Sequence, residues 1–259
     1  MFDAFKDLWK KRQPDPPGSL ADPQAELANP SVTEPSLEAG FALIRTPESQ
    51  LLETWESHRG RAGHLPVLLG TRDDLLEEAI NLQMSAEAVQ EILQKSREID
   101  LDQWMKANRE KRAQTLATYG QSLPELDWST TDDIPLPLPE PFANVSDDVE
   151  VILALLPVER PWQAAARVNY GGWNDCPPAD VLTAFFKRWH ERYGAVPISL
   201  AYDSIEFHIA NPPTTDEACK ALAMEQLACC PNRLDTGLQT MGNFAKSLKG
   251  ASWWYLGWD

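Results

Sequence analysis

Few residues in this chain combine a reactive type with a spacing that could support chemistry. Cys176 and His190 form a conceivable nucleophile–base pair, with Cys176 just ahead of a helix whose N-terminal dipole would favour the thiolate. The 14 positions between them span about 20 Å of helix at 1.5 Å per residue, so a direct dyad is not expected. Cys176, Cys230, His190 and His208 are four residues of metal-ligand type, but their spacing matches no ligand pattern and the chain has no Cys-x-x-Cys pair. Glu206 and His208 share one face of a strand, as an acid/base pair or as a solvated surface. Glu225 is the most informative acid. Ala218, Ala221, Leu222 and Cys229 surround it at helical spacing, which draws a carboxylate toward an apolar face. There it must find a partner or take up a proton. It can be a buried pair or a Trp N–H acceptor, or else the acid of a pocket built with Trp173, Asn174, Gln226 and Trp258. Gly171-Gly172 allows a tight turn but lacks the further glycines and Lys of a phosphate loop.

Charge offers a different clue. Formal net charge is −16, with 39 acids against 23 bases. Phosphate contacts rest on Lys and Arg, so a nucleic-acid partner is not expected, whereas a basic protein partner is. The acidity is uneven, being −13 through Asp148 and −3 after it. Residues 113–159 hold no Lys or Arg, and their acids include Glu125, Asp127, Asp132, Asp133, Glu140, Asp147 and Asp148. Pro135, Pro137, Pro139 and Pro141 make regular helix impossible there and favour an extended path. A base-free loop over 113–148 reads as a solvated surface or as an arm that meets a basic partner.

The elements that must position these residues are legible from periodicity. Residues 1–12 form a candidate amphipathic helix, with Phe2, Phe5, Leu8 and Trp9 on one face and Lys6, Lys10, Lys11 and Arg12 at its end; it could dock on a partner, on a membrane surface or on its own domain. Six prolines make 13–38 a linker. A single α+β domain is expected over 40–259, with one mixed β-sheet flanked by helices. Phe41–Ile44 reads as a strand, Pro47–His58 as a helix and Leu65–Leu69 as a second strand, suggesting a parallel β-α-β unit with Thr71 capping the next helix. Residues 73–118 read as a polar helical insertion in two pieces, with Ser85 as an N-cap. Val149–Leu156 is apolar enough for a central strand, and Asp180–Tyr193 is an amphipathic helix. Val196–Tyr202 and Ile205–Ala210 form a hairpin that places Ile198, Leu200, Ile205, Phe207 and Ile209 on one face. Thr214–Glu217 is a capping box for a helix to about Cys229, Leu238–Leu248 is another helix, and Ser252–Trp258 is a closing strand.

Four short motifs carry a family resemblance: Gly171-Gly172-Trp173-Asn174-Asp175-Cys176-Pro177, Trp189-His190-Glu191-Arg192-Tyr193-Gly194, Glu225-Gln226 with Cys230-Pro231, and the Trp253-Trp254-Tyr255 to Trp258-Asp259 end. Together they resemble a bacterial domain-of-unknown-function family, numbered 4253, over about 149–259 and more weakly over 40–105. Asn232 stands where members tend to carry Asp, and Gly257 where they carry an aromatic. The resemblance implies a bacterial cytosolic domain of a kind that accompanies toxin–antitoxin or effector–immunity loci, and it implies no activity. The lack of a secretory apolar stretch and of a transmembrane segment points to the cytoplasm as well, where free thiols are the default. The reading is thus a non-catalytic protein-binding module, of immunity or antitoxin type, with no cofactor. The alternative is an enzyme or small-ligand binder with the Trp/Glu-lined pocket at Glu225.

Overall fold

Leu65–Leu69 and Val151–Leu156 are nearly continuous apolar runs, and such runs belong to strands covered on both faces. The computed structural model describes residues 40–71, 75, 82–131, 141–142, 149–201, 203–231 and 238–258. The 1–12 helix, the 13–38 linker and the acids Asp132, Asp133, Glu140, Asp147 and Asp148 lie outside the described residues.

The elements follow in the order β1 (Ala42–Pro47), α1 (Leu51–His58), β2 (His64–Thr71), α2 (Ala86–Glu98), α3 (Leu101–Thr118), β3 (Glu150–Pro157), α4 (Ala164–Arg167), α5 (Ala179–Tyr193), β4 (Ala195–Ala201), β5 (Ser204–Ile209), α6 (Asp216–Cys229), α7 (Met241–Leu248) and β6 (Trp253–Gly257). The six strands form one mixed sheet in the order β1-β3-β2-β4-β5-β6. It is an α+β fold in which the early strands and the C-terminal strands share one sheet.

The expected β-α-β unit is corrected in one respect. β1 and β2 do run in the same direction, but β3 lies between them and pairs antiparallel with both. The parallel contact is instead between β2 and β4, at Leu68 and Ser199. Thr71 is the last residue of β2, and the helix start expected directly after it lies outside the described residues. Pro47 closes β1 and precedes a short 3-10 turn, Glu48–Gln50, that leads into α1.

Local chemistry explains the helix boundaries. Ser85 Oγ accepts the Ala88 N–H at 3.2 Å, as expected of an N-cap. Asp100 Oδ1 accepts from Asp102 N and Gln103 N, which divides α2 from α3. Thr215, one residue beyond the start of the anticipated capping box, caps α6 by accepting from Ala218 N. Gly194 ends α5 in the left-handed conformation, φ 61°.

The sheet separates two apolar clusters. On one face Val67, Leu69, Leu156, Leu200 and Phe207 meet Leu182, Phe185 and Trp189 of α5 and Leu222 of α6. On the other, Ile44, Leu68, Leu153 and Ile198 meet Leu51 and Trp55 of α1, and Phe142. Ile198 was expected beside Leu200. A bulge between Pro197 and Ser199 turns it to the opposite face, because one extra residue reverses the alternation. α2 and α3 lie mostly at the surface but still contribute Leu93, Leu101 and Trp104, whose ring stands edge-on to Phe185 at 5.6 Å.

Gly171 holds the turn ahead of α5. Its φ is +100°, and an added Cβ would strike the Pro177 carbonyl oxygen and approach Leu182 Cδ1 at 2.7 Å. We expect Gly171→Ala to lower stability by about 2–3 kcal/mol, from left-handed strain plus overpacking, measured by urea unfolding.

Candidate functional site

The residues singled out from sequence are distributed over four parts of the fold. Glu225 is buried on α6, 5% exposed, and faces α5. Its Oε2 accepts the Trp189 Nε1–H at 2.9 Å. Its Oε1 accepts from Arg192 at 2.7 Å and from Arg188 at 3.4 Å. Arg188 reaches on to Asp102 of α3 at 2.7 Å, so one carboxylate ties α3, α5 and α6 together. The Tyr193 phenol is pushed up by burial, and the Glu225 charge adds to the shift. Gln226, next to Glu225, is completely buried, and neither its Oε1 nor its Nε2 finds a partner among the described residues.

Trp173, Asn174 and Trp258 occupy a second neighbourhood. Gly172 N–H donates to the carbonyls of Cys176 and Pro177, and Cys176 N–H to that of Trp173, which closes the turn. Asn174 is exposed at φ 45°, while Trp173 stands edge-on to Tyr170 at 4.8 Å and faces Trp258 at 6.1 Å. Trp258 Nε1–H donates to the Cys229 carbonyl at 3.3 Å, and the Cys230 thiol to that of Gly257 at 2.9 Å. The Tyr170 hydroxyl donates to Ala201 and Ser204, locking this turn to the β4–β5 hairpin. Among the described residues, no hydrogen bond or ring contact joins Glu225 to Trp173, Asn174 or Trp258. Cys176 precedes α5, whereas His190 Nδ1 bonds the Ala195 carbonyl at its far end. All four cysteines are buried and none forms a disulfide, and burial pushes the Cys219 and Cys229 thiols up.

β5 carries the main surprise. The face bearing Glu206 and His208, expected to be solvated, is covered by α1 and Phe142, and Glu206 is only 5% exposed. Its Oε2 accepts the Phe142 N–H at 2.8 Å. Burial pushes the carboxyl up to about 7, and that one hydrogen bond offsets it only in part. Burial, with the Arg59 charge, pushes His208 down to about 4; its ring stands 5.0 Å from Trp253. No sequence signal foretold this burial, since Phe142 contacts β5 from 64 positions upstream.

The fourth feature is the segment after α3, which holds Glu125 and Asp127. It lies along α7. Gly242 N–H donates to the Asp127 carbonyl at 3.2 Å, Thr240 Oγ1–H to that of Ser129 at 2.7 Å, and Thr131 N–H to Asn243 Oδ1 at 2.9 Å. Asp127 Oδ1 accepts the Ser129 N–H at 2.8 Å, which holds its carboxyl below the usual range. Gly242 makes the approach possible, since a Cβ there would strike the carbonyl oxygens of Ser129 and Trp128. Tyr119 and Trp128 remain exposed, at 77% and 38%.

Two predictions follow from the buried acids. Glu225→Ala leaves Trp189 Nε1 and Arg192 without their acceptor and Arg188 with Asp102 alone, and is expected to lower stability by about 2–4 kcal/mol in urea unfolding. Glu225→Gln, which keeps an acceptor for Trp189, is expected to lose less. For Glu206, a carboxyl raised to about 7 holds a proton that the unfolded chain has released. Its contribution to stability is therefore fully present below about pH 4.5 and lost as pH rises through 7. The lowered His208 works in the opposite sense, contributing above about pH 6.5 and losing that contribution as pH falls toward 4. The two offset each other in the parent. The stability difference between Glu206→Gln and the parent should move toward the variant by about 3 kcal/mol from pH 4.5 to pH 8, read from urea midpoints at each pH.

Comparison with curated proteins and with solved structures finds no match to the chain. Residues 152–259, which run from β3 through β6 and hold the Glu225 node, the Gly-Gly-Trp turn and both Cys-Pro motifs, match the family model described as Domain of unknown function (DUF4253).

Proposed function

We propose that this protein is a non-catalytic binding module, of immunity or antitoxin type, that captures a basic partner protein through its acidic segment. The observation that carries this reading is the segment from Leu123 to Thr131, pinned to α7 by backbone and side-chain hydrogen bonds while it presents charge and aromatic surface outward. Glu125, Asp127 and Trp128 are exposed on it. A pinned segment loses little further conformational freedom on binding, and Trp and Tyr are the side chains that most often anchor interfaces. The Trp128 ring is suited to a cation, since the Lys220 ammonium stands 5.7 Å from its centroid. Asp127, held by Ser129, stays ionised well into the acid range. Asp132, Asp133, Glu140, Asp147 and Asp148 follow in sequence and extend the same base-free composition.

Among the described residues, no helix is long and apolar enough to cross a membrane. We place the protein in the cytoplasm as part of this proposal, on its buried cysteines, none of which forms a disulfide.

The test is affinity capture from the producing cell's extract at low and at high salt. The basic partner should be retained at about 50 mM salt and released at about 500 mM, since exposed charges are screened at that strength. Trp128→Ala combined with Glu125→Gln and Asp127→Asn should weaken retention at least ~10-fold without changing the unfolding midpoint. Gly242→Ala, which favours the helix but crowds the segment off it, should weaken retention as well. Retention that ignores salt and survives these substitutions overturns the proposal.

A further inference from the structure

We infer that the groove between α3 and α6 is a binding site for an amphipathic carboxylate, an acyl chain ending in an anion. The groove encloses about 340 Å³. Met105 on α3, Met224, Leu227 and Ala228 on α6, and Leu123 at the start of the acidic segment make its walls apolar. Two thioethers give it an adaptable surface, suited to a flexible chain. The volume equals that of about eleven liquid waters, near the lower end for small-molecule sites.

The rim supplies the charge preference. Lys106, Arg109 and Arg112 line the groove at intervals of three residues, spread over about 9 Å of α3. Among the described residues, none of the three has an ion-pair partner. This distinguishes them from Lys95, Arg188, Arg192 and Lys249, all of which are paired. The neighbouring acids do not neutralise the rim. Asp102 is engaged by Arg188, and Glu110 does not line the groove. Three cations gathered beside an apolar cleft, on a chain of net charge −16, form a complementary surface for a chain with an anionic head. The guanidinium groups can grip the carboxylate in a two-bond fork while the hydrocarbon leaves water. Asn108 Nδ2–H donates to the Ala228 carbonyl at 3.3 Å and joins the two helices at the groove wall.

The experiment is isothermal titration of the full chain with decanoate, kept below its micelle concentration, beside decanol and decyltrimethylammonium. Decanoate should bind at one site and at least ~10-fold more tightly than the cationic amphiphile. Octanoate should bind roughly 15-fold more weakly than decanoate, two methylenes being lost. Arg109→Gln with Arg112→Gln should weaken decanoate at least ~10-fold and leave decanol unchanged. Ala228→Trp, which fills the groove, should remove both. The arginine pair is surface-exposed or half-buried, so that variant stays informative even if Ala228→Trp does not fold. Absence of saturable binding, equal binding of the cationic amphiphile, or indifference to the arginine substitutions overturns the inference. None of these outcomes depends on the acidic-segment reading, which the capture experiment tests with different residues.

Discussion

A carboxylate buried in an apolar interface must be fully compensated, and the packing of this fold turns on how Glu225 meets that demand. α5 supplies the compensation from three nearby positions, Trp189 through its ring N–H and Arg188 and Arg192 through their guanidinium groups. The geometry leaves little freedom, because the hydrogen bonds fix the rotation of α6 against α5 and Arg188 draws in Asp102 of α3. Trp189 is at the same time the hub of the aromatic core, with Phe185, Phe186, Phe207 and Trp254 around its ring. One acid thus aligns three helices and aims the fully buried Trp189 ring at the sheet. The α3–α6 groove is a consequence of that alignment.

The sheet has its own constraint. β3 lies between β1 and β2, which pair both of its edges, and its sequence is apolar at six successive positions, so both of its faces must be covered. α1 and Phe142 close the face away from α5 and carry the cover toward β5. That cover turns Glu206 and His208 from surface residues into buried ionisable groups held in opposite senses, the acid protonated more readily and the imidazole less readily than in water. Their contributions to stability run in opposite directions with pH and cancel over much of the acid range.

Two features stand out on the remaining surface. The acidic segment lies on α7, with Lys220 and Lys246 against it, and the groove cations Lys106, Arg109 and Arg112 lie on α3, with Leu123 lining the groove beside them. Gly242 permits the first arrangement by letting the chain pass within contact of the helix backbone. The Gly-Gly-Trp and Cys-Pro motifs have a different role. They form hydrogen-bonded turns and ring contacts that join the start of α5, the end of α6, the β4–β5 hairpin and β6.

By itself, the sequence determined the features that depend on neighbours within a few positions. Apolar spacing defined α5, the β4–β5 hairpin and the closing strand, Ser85 marked a helix start, and the placing of Glu225 among apolar helix positions demanded a partner for its charge. Those signals are local because helix and strand periods are set by the backbone. Only the tertiary structure decided the rest. Strand order depends on which apolar faces meet, and β3 pairs across about eighty residues that periodicity cannot bridge. The bulge at Ile198, the cover over Glu206, the approach of the acidic segment to Gly242 and the convergence of Met105 with Met224 all arise between residues remote in sequence. Their energies come from desolvation and packing at contacts that no single stretch of the chain contains.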